Sequence, residues 1–241
     1  MIDAVEDRAP HLDHSPCINV SFSLAGKLLP ADHGYLVYSA ISRSIPSLHG
    51  IDWLAIELIS GFPSARGLIT LPERDATLRL RIPADHYRDV LLLAGKRLDI
   101  GGHHIRLGLP VARPLDPAPS LYARVVTIKK FTEAEPFLEA VNRKLDHIGI
   151  KGRVELPRDE QERYRRRIVT IHGKSVVGFS VAVHDLSDEE SLVLQAGAVK
   201  LIAPEDGSIK WQSIFSRRAM GCGIFNPILR GASSAEDLNN Q

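Results

Sequence analysis

The stretch Pro30-Ala-Asp-His-Gly-Tyr-Leu-Val-Tyr-Ser-Ala-Ile-Ser-Arg-Ser-Ile-Pro-Ser-Leu-His-Gly50 organises the rest of the chain. Leu36, Val37, Ala40, Ile41 and Ile45 recur at helical spacing and make one apolar stripe, and Asp32 stands where an N-cap is expected. Pro46 disfavours helix at the residue before it, so the helix should stop near Ile45. The opposite flank carries Tyr35, Tyr38, Ser39, Ser42 and Arg43; the two tyrosines could donate a proton but read first as packing or flank residues. His33 opens the helix and His49 follows it, just before Gly50. A histidine titrates near neutral pH and can take or give a proton. Taken alone, each is more often a solvated or carbonyl-bonded side chain than a chemical one.

Outward from this helix the pattern is regular. Ile18–Leu24 alternates apolar and polar as a half-buried strand does, and precedes the helix. Trp53–Ile59 reads as a second strand and Leu78–Ile82 as a third. Pro83–Ala94 reads as a helix with Pro near its first turn and Gly95 as its stop. Leu98–Leu109, folded about Gly101-Gly102, reads as a hairpin. The order β-α-β-β-α-β is that of a ferredoxin-like unit over residues 17–109. Pro110, Pro114, Pro117 and Pro119 then predict a stiff linker over 110–120.

Beyond the linker the pattern restarts. Leu121–Lys130 is a strand, and Thr132 should cap a helix from about Glu133 to His147. Gly152–Leu156, Arg166–His172 and Val176–Val183 are strands, and Ser187–Glu190 is a capping box opening a last helix. The fold class is therefore α+β, a tandem of ferredoxin-like folds, with a second unit over residues 121–230. Residues 1–16 read as a flexible lead containing His11 and His14, for which a metal role is not expected, and 231–241 as a disordered tail.

A hydrophobic content of 44% supports a real core, and a formal charge of +1 excludes indiscriminate nucleic-acid coating but leaves room for a local basic track. Two cysteines, Cys17 and Cys222, cannot form a disulfide framework, and no signal peptide or apolar run of membrane-spanning length is seen. A cytoplasmic protein without a membrane partner is the simple expectation.

The most informative distal stretch is Ser216-Arg-Arg-Ala-Met-Gly-Cys-Gly-Ile-Phe-Asn-Pro227. Gly221 and Gly223 could point amides at phosphate oxygens, and Arg217 and Arg218 could supply bidentate phosphate or guanine contacts. The plainer reading is a glycine-bearing turn before a last strand. Lys129, Lys130, Arg143 and Lys144 could line a phosphate track, and Arg163, Arg165, Arg166 and Arg167 form a basic cluster, either a solvated strand edge or an RNA contact. With 6% aromatics, no base-stacking platform is evident. His103-His104 lacks the partners of a zinc site, and Gly173-Lys-Ser175 lacks the upstream glycine and following helix of a P-loop. No metal or cofactor is expected.

Taken with Leu98–Gly108, Leu121–Lys129 and Val177-Gly-Phe179, the Pro30–Gly50 and Gly221–Pro227 stretches resemble the CRISPR-associated repeat endoribonucleases of the sixth Cas family, particularly the Myxan-type subfamily. The resemblance covers about residues 17–227. It implies tandem ferredoxin-like (RNA-recognition-type) folds, a C-terminal glycine-rich loop, metal-independent cleavage of CRISPR repeats in precursor RNA, and retention of the mature guide. It implies that His49 matches the family's catalytic histidine after the first helix and that His33 is similar to a second active-site position. No lysine follows within Ile51–Ile56, where some members have one.

The implied chemistry is self-contained. A histidine takes the proton of the 2′-OH beside the scissile phosphate, and that oxygen attacks in line. A second group protonates the 5′ leaving oxygen, giving a 2′,3′-cyclic phosphate and a 5′-OH. A helix from Asp32 to Ile45 would be roughly 20 Å long, which makes it hard for both histidines to touch one phosphate. His49 ranks first as the base and His33 second. RNA contacts are expected from Arg217, Arg218, Gly221, Gly223, Lys129, Lys130, Arg143, Lys144 and Arg166. The expected partners are the repeat RNA, as a hairpin, and other CRISPR effector subunits. The competing readings are a non-catalytic RNA-binding subunit, which would never cut, and a small-molecule enzyme, which would need an enclosed apolar pocket.

Overall fold

Alternation in Cys17–Ala25 makes β1, which turns Val20 and Phe22 fully inward and lies at the centre of the first sheet. A computed structural model describes residues 16–202 and 209–228. The tail, and the lead up to residue 15 with His11 and His14, lie outside the described residues. After β1 come β2 (Leu28–Pro30), α1 (Gly34–Ser44), β3 (Ala55–Ile56), β4 (Phe62–Pro63), β5 (Leu68–Thr70), β6 (Thr77–Pro83), α2 (Tyr87–Leu91), β7 (Arg97–Ile100) and β8 (His103–Pro114). The first sheet runs β3-β6-β1-β8-β7, with every pairing antiparallel. Without the hairpin strand β7, that is the fourth-first-third-second order of a ferredoxin-like unit. Val37, Ala40 and Ile41 of α1 pack on Val20, Phe22, Leu78 and Leu80 in one core. Each buried Val, Ile, Leu or Phe among them contributes about 1.5–3 kcal/mol.

The second half repeats the plan. β9 (Leu121–Val126), α3 (Ala134–His147), β10 (Arg153–Glu155), β11 (Arg166–Ile171), β12 (Lys174–His184) and α4 (Asp188–Ala196) precede a hairpin of β13 (Ala198–Ile202) and β14 (Ile209–Ser213), and β15 (Phe225–Pro227) ends the series. The sheet order β10-β12-β9-β15 is again fourth-first-third-second read from β15, with β11 added beside β12. Phe137, Val141 and Leu145 of α3 pack on Phe179, Val181 and Phe225 in a second core. The capping box forms as expected: Ser187 Oγ accepts the Glu190 N–H, and Glu190 accepts the Ser187 N–H at 2.9 Å.

Four expectations need correction. The strand expected over Trp53–Ile59 is only β3, because the Ile59 N–H donates to a histidine ring rather than to a neighbouring strand. Pro83 pairs with Cys17 at the end of β6, and the following helix shrinks to a 3-10 turn and the five residues of α2. Pro110 and Pro114 belong to β8, opposite Phe22 and Ile18, not to a linker. β7 covers β8 only as far as Arg106, so beyond it β8 is an edge strand, where a missing N–H has no ladder partner to lose. Finally, Asp32 does not cap α1: the N-cap position falls on His33, and the Asp32 carboxylate accepts the Thr170 N–H at 2.7 Å.

The halves are bolted together by Arg81. The outward face of β6 in the first sheet is covered by the second half, and Arg81 there is 1% exposed. Its Nε donates to Asn19 Oδ1. Its Nη1 donates to the Gln195 and Phe225 carbonyls at 2.9 and 2.6 Å, and its Nη2 to Glu57 Oε1 and Asn226 Oδ1 at 3.0 and 2.5 Å. All five guanidinium donors are thereby used. Among the described residues no helix is long and apolar enough to cross a membrane.

Candidate active site

α1 ends at Ser44, and Pro46–Leu48 forms a 3-10 turn that folds the chain back and delivers His49 to the flank of the helix. Leu48 is buried and anchors the turn, while His49 is exposed. Its Nδ1 lies 3.2 Å from Tyr38 Oη, and the two rings stack with centroids 5.7 Å apart. The Gly50 N–H also donates to Tyr38 Oη, at 3.0 Å. Tyr38 is 6% exposed, so its hydroxyl is a fixed post that sets the orientation of His49 and leaves Nε2 toward solvent. In sequence Tyr38 reads as a packing residue; the turn that brings a histidine eleven positions on to its hydroxyl is not visible there.

His33 has a different job from the one its sequence position suggests. It is 2% exposed, Nδ1 donates to the Pro30 carbonyl at 2.9 Å, and the Ile59 N–H donates to Nε2 at 2.9 Å. A carbonyl can only accept and an N–H only donate, so this ring is neutral with both nitrogens committed. It splices the start of α1 to the segment after β3 and cannot meet the phosphate that His49 would meet. Burial holds its pKa below the ordinary imidazole value of 6.5. The unfolded chain therefore binds more protons in the window below about pH 6.5, so stability contributed by neutral His33 is full above 6.5 and declines as the pH falls through that window. We expect His33→Gln to lose about 1–3 kcal/mol at neutral pH and to show a flatter decline in acid, measured by urea unfolding from pH 5 to 8.

Arg217 and Arg218 part company as well. Arg217 Nη1 donates to Thr127 Oγ1 at 3.1 Å on the wall of an open groove of about 680 Å3, which Lys129, Lys144, Lys210, Trp211 and Asp52 also line. Arg218 is 2% exposed, its Nη2 donates to the Ala196 carbonyl at the C-terminus of α4, and it lies wholly inside. Burial and the neighbouring Arg81 cation depress its pKa to about 9. It cannot reach RNA. The glycines are also turned inward. The Gly221 N–H donates to the Arg218 carbonyl and the Gly223 N–H to Val125, so neither amide is free for a phosphate. A Cβ on Gly221 would come within 2.5 Å of Leu58, and Gly221 has φ of +81°. This glycine serves close packing of the 216–223 segment against the first half.

The other expected RNA contacts scatter. Lys129 and Lys144 line the groove. Lys130 is exposed in a left-handed turn outside its lining, Arg143 lies on the outer side of α3 near Glu139, and Arg166 is on the β11–β12 hairpin. Trp211 and Lys210 of β14 are not among the sequence candidates, because no motif marks the stretch that carries them. No group of three or more His, Cys, Asp or Glu is gathered among the described residues.

Comparison with known proteins agrees with this architecture. The family model described as "Cas6 Crispr" matches residues 18–230. The CRISPR-associated endonuclease Cas6 of Myxococcus xanthus (strain DK1622) is 35% identical over 215 residues, 89% of this chain and 83% of that protein. Two solved structures share the fold. One, a CRISPR-associated protein Cas6, has a TM-score of 0.57 at 13% identity, over 90% of this chain and all of its own. The other, described as a RAMP protein binding different RNA substrates, has a TM-score of 0.52 at 14% identity, over 89% of this chain and all of its own. With a family model spanning nearly all of both sheets and a relative this similar over most of its length, the chain belongs to the Cas6 family of CRISPR-associated proteins.

Proposed function

We propose that this protein cleaves CRISPR repeats in precursor RNA by metal-independent attack of a 2′-OH, with His49 as the general base, and keeps the mature guide. Endoribonuclease action on CRISPR RNA follows from the family. The finer chemistry rests on one observation, the exposed His49 imidazole set by Tyr38. We assign the proton to Nδ1, donating to Tyr38 Oη, because this leaves the Nε2 lone pair free to take the 2′-OH proton. RNA carries its own nucleophile, so the protein has only to move protons, hold the strand and stabilise charge.

Asp52, three residues beyond His49, lies at the groove, so its Cα is within about 11 Å of that of His49. The strand would run from His49 into a channel carrying Lys129, Lys144, Lys210 and Arg217, with Trp211 available to one base.

The test is cleavage of the repeat RNA in EDTA, followed by end analysis. We expect a 2′,3′-cyclic phosphate, a 5′-OH, and a burst equal to the protein present. Cleavage that needs a divalent cation, or 3′-OH products, would sink the mechanism. The two neighbouring arginines give a paired control. Arg217→Ala should weaken RNA binding and reduce the slope of log K against log[salt] by about 0.7–0.9. Arg218→Ala should lower the melting temperature and leave the slope of the folded protein unchanged. Equal slopes for wild type and Arg217→Ala would remove the groove from the RNA path.

A further inference from the structure

The tip of the β11–β12 hairpin, in the second half, rests on the first turn of α1, in the first half. Ile171 pairs with Lys174, leaving His172 and Gly173 as a two-residue turn with φ of 49° and 71°. Positive φ at both positions is what a type I′ hairpin turn requires, and Asn or Gly meets that demand with less strain than histidine. The hairpin is held in place by the Thr170 N–H on the Asp32 carboxylate, at 2.7 Å. The His172 ring packs against Tyr35, with centroids 4.5 Å apart. Tyr35 in turn lies 6.4 Å from Tyr38, which holds His49. A continuous row, His172–Tyr35–Tyr38–His49, thus lines one flank of α1.

His172 differs from the other histidines close to this helix. Both nitrogens of His33 are taken and Nδ1 of His49 is on Tyr38. His172 is exposed, and among the described residues neither of its ring nitrogens has a hydrogen-bond partner. A residue kept in a left-handed conformation, fixed at its neighbour's backbone, packed on one face and free at both nitrogens is a donor held ready for something outside the chain.

We propose that His172 is a substrate-positioning residue: its ring N–H donates to an RNA phosphate beside the scissile one. The proposal rests on the reading of His49 as the base. Two intervening rings separate the histidines, so His172 does not share the phosphate that His49 addresses. It holds the strand at a neighbouring phosphate, from the hairpin tip. Tyr35 supports the imidazole as Tyr38 supports His49. In this arrangement the second half supplies a grip that completes a site built on the first.

The test uses the full chain and three substitutions at one position. His172→Gly fits the turn and removes only the side chain. His172→Asn also tolerates the turn and keeps an N–H donor. His172→Phe keeps a ring against Tyr35 and has no donor. Binding is measured on repeat RNA with a single 2′-deoxy nucleotide at the cleavage site, and cleavage on the all-ribose RNA. For His172→Gly we expect about a 10–100-fold weaker dissociation constant, with a matching rise in the concentration for half-maximal cleavage and a much smaller change in the saturated rate. His172→Asn should recover most of the loss, and His172→Phe should recover none. Wild-type affinity and cleavage in His172→Gly would overturn the proposal, and full rescue by His172→Phe would overturn the donor role. A wild type that fails to cut would defeat the reading of His49, while the binding arm would still decide the role of His172.

Discussion

His49→Ala is expected to lose about 10²–10⁴-fold in the rate of repeat cleavage while binding the uncut RNA with wild-type affinity. His49 is exposed, and among the described residues its ring hydrogen-bonds to Tyr38 alone, so its removal opens no buried cavity. The measurement is single-turnover cleavage at saturating protein, with affinity determined on the 2′-deoxy RNA. Cleavage within a few fold of wild type would show that the base lies elsewhere. Tyr38→Phe is the graded companion. It removes the acceptor for His49 Nδ1 and for the Gly50 N–H, so the imidazole swings and the rate should fall about tenfold, short of the loss expected for His49→Ala.

The second large effect is on stability. Arg81→Ala should cost about 3–5 kcal/mol, the range for breaking a buried, fully hydrogen-bonded ion pair from one side. It strips the Gln195 and Phe225 carbonyls and Asn226 of their donor and leaves the 8%-exposed Glu57 with Arg79 alone. At this chain length the loss corresponds to a melting temperature lower by about 10 °C. Arg81→Lys should rescue little, because one ammonium cannot meet five acceptors spread around a planar fork. A melting temperature unchanged in Arg81→Ala would mean that the halves are held together by the apolar contacts of the 216–223 segment instead.

Both sheets were legible in the sequence because alternation and helical spacing are local signals: Val20 and Phe22, Leu78 and Leu80, and the α1 stripe all face the core as their periods require. What was not legible depends on residues distant in the chain. Arg79 and Arg81 sit at like positions of one alternating strand and read alike, yet Arg81 is buried because another half of the chain closes over it. His33 and His49 also read alike. They are told apart by the Pro30 carbonyl and by an amide 26 residues downstream, which use up both nitrogens of His33. Gly221 and Gly223 suggested free amides, but close approach to Leu58 and Phe215 is what their positive φ serves. Prolines suggested a linker only because an edge strand and a linker make the same demand, a position where no N–H is required.

The bolt at Arg81 also has a consequence in time. Its partners lie up to 145 residues further along the chain. A ribosome adding about 5–20 residues per second needs roughly 7–30 s to make that stretch. From the completion of β8 at residue 114 onward the nascent first unit has all its own strands, yet Arg81 meets only Asn19 and Glu57, because its other three acceptors have yet to be synthesised. That guanidinium keeps the uncovered sheet face hydrated, which discourages premature association with a neighbouring nascent chain until the last strand arrives to bury it.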